Sequence, residues 1–225
     1  MCTVTFIPFP DNNFILTSSR DVPYSREKAI PPKYYNEDEV LLEYPKDGKA
    51  GGTWIGHSSK LRLICLLNGG FQNHESVGNY RKSRGIIVLE LLKAEDINLA
   101  LKEIDLLNIE PFTLVIVEWD FDLFLFEFVW DGQQKHFRIV PKEPCIWSSA
   151  TLYDEETKAL RETWFSAWQK DFGLSDESIA EFHRKAGVGI PAIDVLMDRG
   201  EGGTVSITKV VRTGEKLEMS YQEIA

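Results

Sequence analysis

Cysteine is scarce in this chain. There are three in 225 residues (Cys2, Cys65 and Cys145), an odd number with none close to another. That excludes a disulfide framework and any CxxC redox or zinc pair, and it points to a reducing, cytoplasmic compartment. The four histidines, His57, His74, His136 and His183, stand at no HxxxH or related spacing, so neither a metal nor a cofactor is expected. No apolar run approaches the ~18 residues of a membrane helix, and the start lacks the basic and apolar segments of a signal peptide. Positive charge is in deficit, with 25 basic against 35 acidic residues and a net charge of −10. Such a surface repels phosphate backbones and anionic lipid, which argues against nucleic acid and integral membrane contact as partners. Linkers, repeats and low-complexity tracts are also missing, so residues 1–225 read as one domain. Nothing in the sequence fixes an oligomeric state.

What is present is an ordinary globular composition, 43% hydrophobic and 12% aromatic. A chain of this length can bury a core without a metal or disulfide to hold it. Alternation predicts strands at Thr3 to Ile7, Phe14 to Ser18, Val40 to Tyr44 and Leu61 to Leu67. Arg26 to Asp38, with Pro31 and Pro32, reads as an ordered loop. Helical spacing follows from about Ser83 and again over Ala94 to Leu107, where Ile97, Leu101, Ile104 and Leu107 share one face. Strands return at Phe112 to Trp119, Leu123 to Trp130 and His136 to Val140. Asp154 to Phe172 is the clearest helix, with Leu160, Trp164, Phe165, Trp168 and Phe172 as its apolar stripe and the charged residues opposite. Further helices are expected from Ser175 to Lys185 and over Pro191 to Asp198. A closing hairpin joins Thr204–Arg212 to Lys216–Ile224. Strands, helices, strands, helices, strands in this order predict an α+β protein, a four-layer αββα sandwich with mainly antiparallel sheets.

The residue after the initiator methionine is Cys2. Removal of Met1 leaves a thiol and a free α-amine on one residue. The amine titrates near ~7.7–8.0 and the thiol near ~8.5, so the pair can form a self-contained nucleophile and base. The plainer reading is a small apolar residue opening a strand.

Several segments carry a family resemblance. They are Met1-Cys2, Ser18-Ser19-Arg20-Asp21 with Tyr24-Ser25-Arg26, and Gly51-Gly52-Thr53-Trp54-Ile55-Gly56. Leu66-Leu67-Asn68, Ser83-Arg84-Gly85 and Trp147-Ser148-Ser149-Ala150-Thr151-Leu152 complete the set. In this order they resemble the Transport and Golgi organisation 2 family, named also for its Asn-Arg-Asp-Glu motif. That family is similar to the N-terminal nucleophile hydrolases, in particular amidases with a cysteine nucleophile. The resemblance implies the αββα fold of that class. It also implies hydrolysis of a carbon–nitrogen bond in a small, linear amide. In that scheme Cys2 is the nucleophile, Arg20 favours its thiolate, Asp21 orients the α-amine and Asn68 donates to the oxyanion. Trp54 and Ser149 would contact the substrate.

Three departures stand beside the match. The motif reads Ser19-Arg20-Asp21-Val22, Ser149 occupies a position where the relatives carry asparagine, and Val205 replaces a late arginine. They keep open a non-catalytic small-molecule binder, for which the family resemblance offers haem trafficking, with any axial ligand among His57, His74, His136 and His183. An interaction protein that keeps the fold without a ligand is the third reading.

Overall fold

A computed structural model describes residues 3–225, and the expected nucleophile Cys2 lies outside the described residues. Within the chain two compact units form, one from Met1–Arg26 with Glu143–Ala225 and one from Glu27–Lys142.

The first unit is a five-stranded sheet with two helices on one face. β1 (Thr3–Pro8) turns through Asp11 and Asn12, at φ 59° and 58°, into β2 (Phe14–Pro23). Short polar side chains tolerate that left-handed backbone. β10 (Cys145–Ser148), β11 (Gly202–Thr213) and β12 (Lys216–Glu223) complete the order β10-β1-β2-β11-β12, antiparallel throughout. α3 (Glu155–Phe172) is capped by Asp154 and α4 (Asp176–Lys185) by Ser175, each side chain accepting a first-turn amide. Ile7 and Ile15 from the strands meet Phe165, Ile179 and Phe182 from the helices in one buried cluster.

The second unit is a seven-stranded antiparallel sheet in sequence order. Its strands are β3 (Ile30–Glu37), β4 (Val40–Lys46), β5 (Ile55–Ser58), β6 (Arg62–Asn68), β7 (Phe112–Glu118), β8 (Phe124–Trp130) and β9 (Lys135–Val140). α1 (Arg84–Lys93) packs on β5 and β6, followed by α2 (Ile97–Glu103). The buried Arg62 ties helix to sheet: it donates to the Leu91 and Ala94 carbonyls at the end of α1 and pairs with Glu118. A cation there satisfies carbonyls that have no partner inside the helix.

The two antiparallel sheets and four helices bear out the α+β class. Four local expectations change. The segment read as a loop contains β3, an edge strand, and its pairing with β4 shifts between Ile30 and Lys33. Pro31 and Pro32 fall in that shift; they cannot donate to a ladder, which an edge tolerates. The second helix is half as long as its spacing suggested: it starts after the Asp96 cap and stops at Glu103, leaving Leu107 76% exposed. Pro191 to Asp198 is a run of turns, with the Ile193 and Asp194 carbonyls held by Arg161 from α3. Most telling is α3, where Thr157, Arg161 and Phe165 are buried while Leu160 and Phe172 are 37% and 64% exposed. Among the described residues no helix is long and apolar enough to cross a membrane.

Two of the motif segments meet in the second unit. The Thr53 amide donates to the Gly85 carbonyl at 3.2 Å. A Cβ on Gly85 would sit 2.7 Å from the Thr53 oxygen, and one on Gly52 would sit 2.4 Å from the Gly85 carbonyl carbon. Backbone cannot yield as a side chain tip does, so Gly85→Ala is expected to cost about 2–4 kcal/mol. Urea unfolding measures it, and a midpoint equal to that of the parent protein would contradict the close approach.

Candidate functional site

β2 gathers the motif residues. Ser18, Ser19, Arg20 and Asp21 are all buried, none more than 3% exposed. Successive strand residues face opposite ways, so Ser19 and Asp21 share one face and Ser18 and Arg20 the other. Arg20 and Asp21, neighbours in sequence, therefore work on different sides of the sheet.

On the helix side the Asp21 carboxylate is held by two hydroxyls. Thr204 donates to Oδ1 at 2.6 Å and Tyr153 to Oδ2 at 3.0 Å. Thr204 is fixed in turn, because its hydroxyl accepts the Met197 amide at 3.0 Å and its own amide donates to the Met197 carbonyl at 2.8 Å. The guanidinium of Arg161 stacks on the Tyr153 ring, 3.7 Å from the centroid. It also donates to the Thr3 hydroxyl and to the Ile193 carbonyl at 3.0 Å. A continuous path thus runs from the Asp21 carboxylate through Tyr153 and Arg161 to Thr3, the residue that follows Cys2. Beside it, His183 of α4 bridges the Thr5 hydroxyl through Nε2 at 2.9 Å and the Ser19 hydroxyl through Nδ1 at 2.8 Å. Burial, with the charge of Arg161 as a lesser cause, pushes its pKa down to about 3. The imidazole is neutral at any physiological pH.

The opposite face has another character. Ser206 stands across from Arg20 in the β2–β11 register, and Thr208 across from Ser18. The side-chain oxygens of Ser18, Ser206 and Thr208 are buried without a hydrogen-bond partner. Leaving such a group unpaired costs about 1–3 kcal/mol, so the three hydroxyls make this face of β2 and β11 a locally costly one. Val205 sits at the β11 irregularity between Thr204 and Ser206, half-buried, its carbonyl accepting the Ile224 amide at 2.9 Å.

The remaining candidates are distributed between the units. Ser149, 1% exposed, follows β10 in the first unit. Its carbonyl accepts the Tyr153 amide at 3.2 Å, so it shapes the turn that delivers Tyr153 to Asp21. Trp54 and Asn68 belong to the second unit. Trp54 is buried and its carbonyl accepts the Leu66 amide at 2.8 Å, while Asn68 closes β6 half-buried, opposite Phe112. His57, His74 and His136 face Glu43, Glu110 and Asp131 at 2.8, 3.4 and 2.7 Å. Among the described residues, no group of three or more His, Cys, Asp or Glu could hold a metal ion.

Sequence reasoning missed Tyr153, Thr204, Arg161 and the hydroxyl patch. Tyr153 adjoins the last quoted segment and Thr204 precedes Val205, so their positions were within reach. Arg161 offered no signal, since an arginine on an amphipathic helix is ordinarily solvated.

Solved structures share this fold, and they are amide-cleaving hydrolases of the N-terminal nucleophile class. The Caenorhabditis elegans ortholog of N-acylethanolamine-hydrolyzing acid amidase superposes with a TM-score of 0.63 over 93% of this chain and 92% of that one, at 11% identity. A variant of the conjugated bile acid hydrolase from Clostridium perfringens gives 0.56 over 99% and 92%, at 12% identity. The chain belongs to the Transport and Golgi organisation 2 family, whose model matches residues 1–200. The human Transport and Golgi organization protein 2 homolog is 38% identical over 55 residues, 24% of this chain and 20% of the human one. That match spans only about a fifth of the curated relative's length.

Proposed function

We infer that the protein is a cysteine hydrolase of the N-terminal nucleophile type, cleaving the carbon–nitrogen bond of a small linear amide. One observation carries this reading: the buried Asp21 carboxylate, held by Tyr153 and Thr204, connects through Arg161 to the residue adjoining Cys2. A carboxylate fixed by two hydroxyls keeps its orientation, which is what an amine-orienting group requires. In the reaction, the α-amine freed by Met1 removal takes the thiol proton. The thiolate then adds to the amide carbonyl and the leaving amine departs with that proton. Water releases the acyl group from the resulting thioester and restores the thiol. Arg20 favours the thiolate in this scheme, and Asn68 is assigned to the oxyanion.

The test combines intact mass with thiol labelling. Loss of Met1 and alkylation of Cys2 by iodoacetamide at least about tenfold faster than Cys65 or Cys145 are expected, because a depressed thiol pKa raises the reactive fraction. Tyr153→Phe should slow Cys2 labelling, and Asn68→Ala should cut turnover of a fluorogenic N-acyl amide by about 10²–10³. A Cys2 that labels no faster than Cys145 would overturn the reading.

The second reading, a non-catalytic binder, is supported by Val205 in place of a cation and Ser149 in place of an asparagine. Haem is its candidate ligand. His183 has both ring nitrogens engaged and His57 and His136 bond through Nε2, whereas neither ring nitrogen of His74 makes a hydrogen bond, which makes His74 the first axial candidate of the four. A Soret shift on titration at micromolar haem, unchanged by Cys2→Ser, would favour the binder.

A further inference from the structure

Among the described residues the two sheets end in four edge strands, β3, β9, β10 and β12. Three of these carry features that discourage pairing with another chain. β3 has Pro31 and Pro32 within a register shift, β10 is four residues long, and β12 carries Lys216, Glu218 and Glu223. β9 has neither proline nor bulge and pairs with β8 over six consecutive residues. Its charged side chains are turned back onto their own unit. Lys135 donates to the Lys102 carbonyl of α2 at 2.7 Å, and Arg138 forks onto both oxygens of Glu127 at 2.7 and 2.9 Å. His136 contacts Asp131 at 2.7 Å.

The helix-side face of that edge is apolar. One row of side chains crosses the sheet through Gly56, Ile64, Ile116, Phe126 and Ile139, each opposite the next in register. α1 covers the near end, where Leu92 lies against Gly56, and Ile64 and Ile116 are fully buried. The far end emerges: Ile139 is 69% exposed, with Phe137 at 46% and Phe124 at 43% on the same face. Phe126 lies between Phe124 and Phe137 at ring distances of 6.0 and 5.3 Å, so the patch is already ordered. The three exposed side chains leave roughly 300 Å² of apolar surface uncovered, taking ~200 Å² for a whole aromatic side chain. Single monomers tolerate a patch of that size, so area alone does not select a partner. The backbone does.

The Asp131 amide donates to the Gln134 carbonyl in the β8–β9 turn. Alternation from that pair gives His136, Arg138 and Val140 the bonds to β8 and leaves the amides and carbonyls of Lys135, Phe137 and Ile139 pointing off the edge. We propose that β9 pairs antiparallel with β9 of a second copy of this chain, about a two-fold axis beside Arg138. Phe137 of each copy then exchanges both backbone bonds with Ile139 of the other, four hydrogen bonds in all. Their side chains meet as cross-strand pairs that join the two apolar patches. The strand is self-complementary in this register, because the residues with outward backbone groups are the ones that face each other. Arg138, whose backbone serves β8, falls at the axis, and each guanidinium arrives already neutralised by Glu127. Centring on Phe137 instead would set the ammonium-bearing Lys135 against Ile139. A second copy supplies the backbone match and the apolar match together, which a foreign strand would have to supply separately. One six-residue edge and one patch fall at the small end of stable interfaces, near ~1,200 Å² in total, so the dimer is reversible.

Sedimentation equilibrium of the full chain tests the pairing, with a monomer–dimer Kd on the order of 10 μM expected. Ile139→Glu and Ile139→Pro should each weaken the dimer at least about tenfold. The first puts a charge into the apolar contact, and the second removes an outward amide that β8 does not use. Ile139 is exposed, so both variants should keep the fold, which far-UV circular dichroism reports. Leu217→Glu on the β12 edge should leave the dimer unchanged. In a background carrying Cys2→Ser and Cys145→Ser, Arg138→Cys should cross-link two copies on mild oxidation, because facing residues of a non-hydrogen-bonded pair have Cα atoms ~4.5 Å apart. Lys135→Cys should not, since its two copies stand ~20 Å apart in this register. A parent protein still monomeric at about 200 μM, twenty times the expected Kd, would overturn the proposal. So would a dimer that survives either Ile139 substitution, or cross-linking through Lys135→Cys in place of Arg138→Cys. A monomer whose binding to phosphatidylcholine vesicles is lost with Ile139→Glu would assign the face to lipid and overturn it as well. The cross-linking background lacks Cys2, so the result is independent of the chemistry at that residue.

Discussion

Arg161→Ala is expected to destabilise the protein by about 3–5 kcal/mol, among the largest effects of any single substitution in the chain. Arg161 is fully buried, and its partners are neutral: the Thr3 hydroxyl, the Ile193 and Asp194 carbonyls and the face of Tyr153. Truncation leaves three buried acceptors short of a donor, each costing about 1–3 kcal/mol, and opens a cavity besides. Losing the buried charge itself recovers part of this, which keeps the total well below the sum. The effect reaches three places at once. The turns over residues 191–198 lose the group that holds their carbonyls, β1 loses a tie at its first described residue, and the Tyr153 ring loses its stacking partner. Arg161→Lys should recover only a minor part, because an ammonium cannot span two carbonyls and a hydroxyl in one plane. Urea titration of both variants measures the cost, and a loss under about 1 kcal/mol for Arg161→Ala would refute the role described.

Acid should unfold the protein through His183. Its folded pKa is about 3 against 6.5 unfolded, so the unfolded chain takes up the proton first as pH falls. The contribution to stability is therefore complete above about pH 6.5 and is lost progressively from there toward pH 3. At ~1.4 kcal/mol per pH unit, the loss between pH 7 and pH 4 is on the order of 3 kcal/mol. Hydrogen-bond geometry does not forbid the imidazolium, since the Thr5 and Ser19 hydroxyls can both accept. Desolvation does, with Arg161 adding repulsion. Carboxylates titrate in the same range, Glu181 among them with its pKa lowered by Lys185. For that reason the informative quantity is the difference between the parent protein and His183→Gln. Glutamine offers a donor and an acceptor but no proton to gain. The stability of the parent relative to the variant should fall steadily with pH below about 6.5. A difference that stays flat from pH 7 to pH 4 would show that His183 does not carry the acid sensitivity.

These two residues mark where sequence reading reached its limit. The strands of β1, β2 and β6 through β8 were legible because alternation and short apolar runs leave few alternatives. The starts of α3 and α4 were legible too, within a residue of the expected Asp154 and Ser175. The stripe on α3 misled, because Leu160 and Phe172 satisfy helical spacing as well as the buried Thr157, Arg161 and Phe165 do. Spacing places residues on faces, but only the partner surface chooses which face is covered. At the site, Arg20 and Asp21 could be named from the motif. That they point to opposite faces follows only once both lie within the continuous β2, which extends past the Ser18 at which the expected strand stopped.

Local periodicity and short motifs were enough to give the class of fold, most of its strands and helices and the family, because these need no distant partner. They also placed the candidate nucleophile at Cys2. Tertiary structure alone decided that Arg161 is buried, that Tyr153 and Thr204 hold Asp21, and that His183 bridges Thr5 and Ser19. Those facts join residues as much as 183 positions apart. Hydrogen-bond partners at such separations are chosen by how sheets and helices pack, and no local pattern in the chain records that choice.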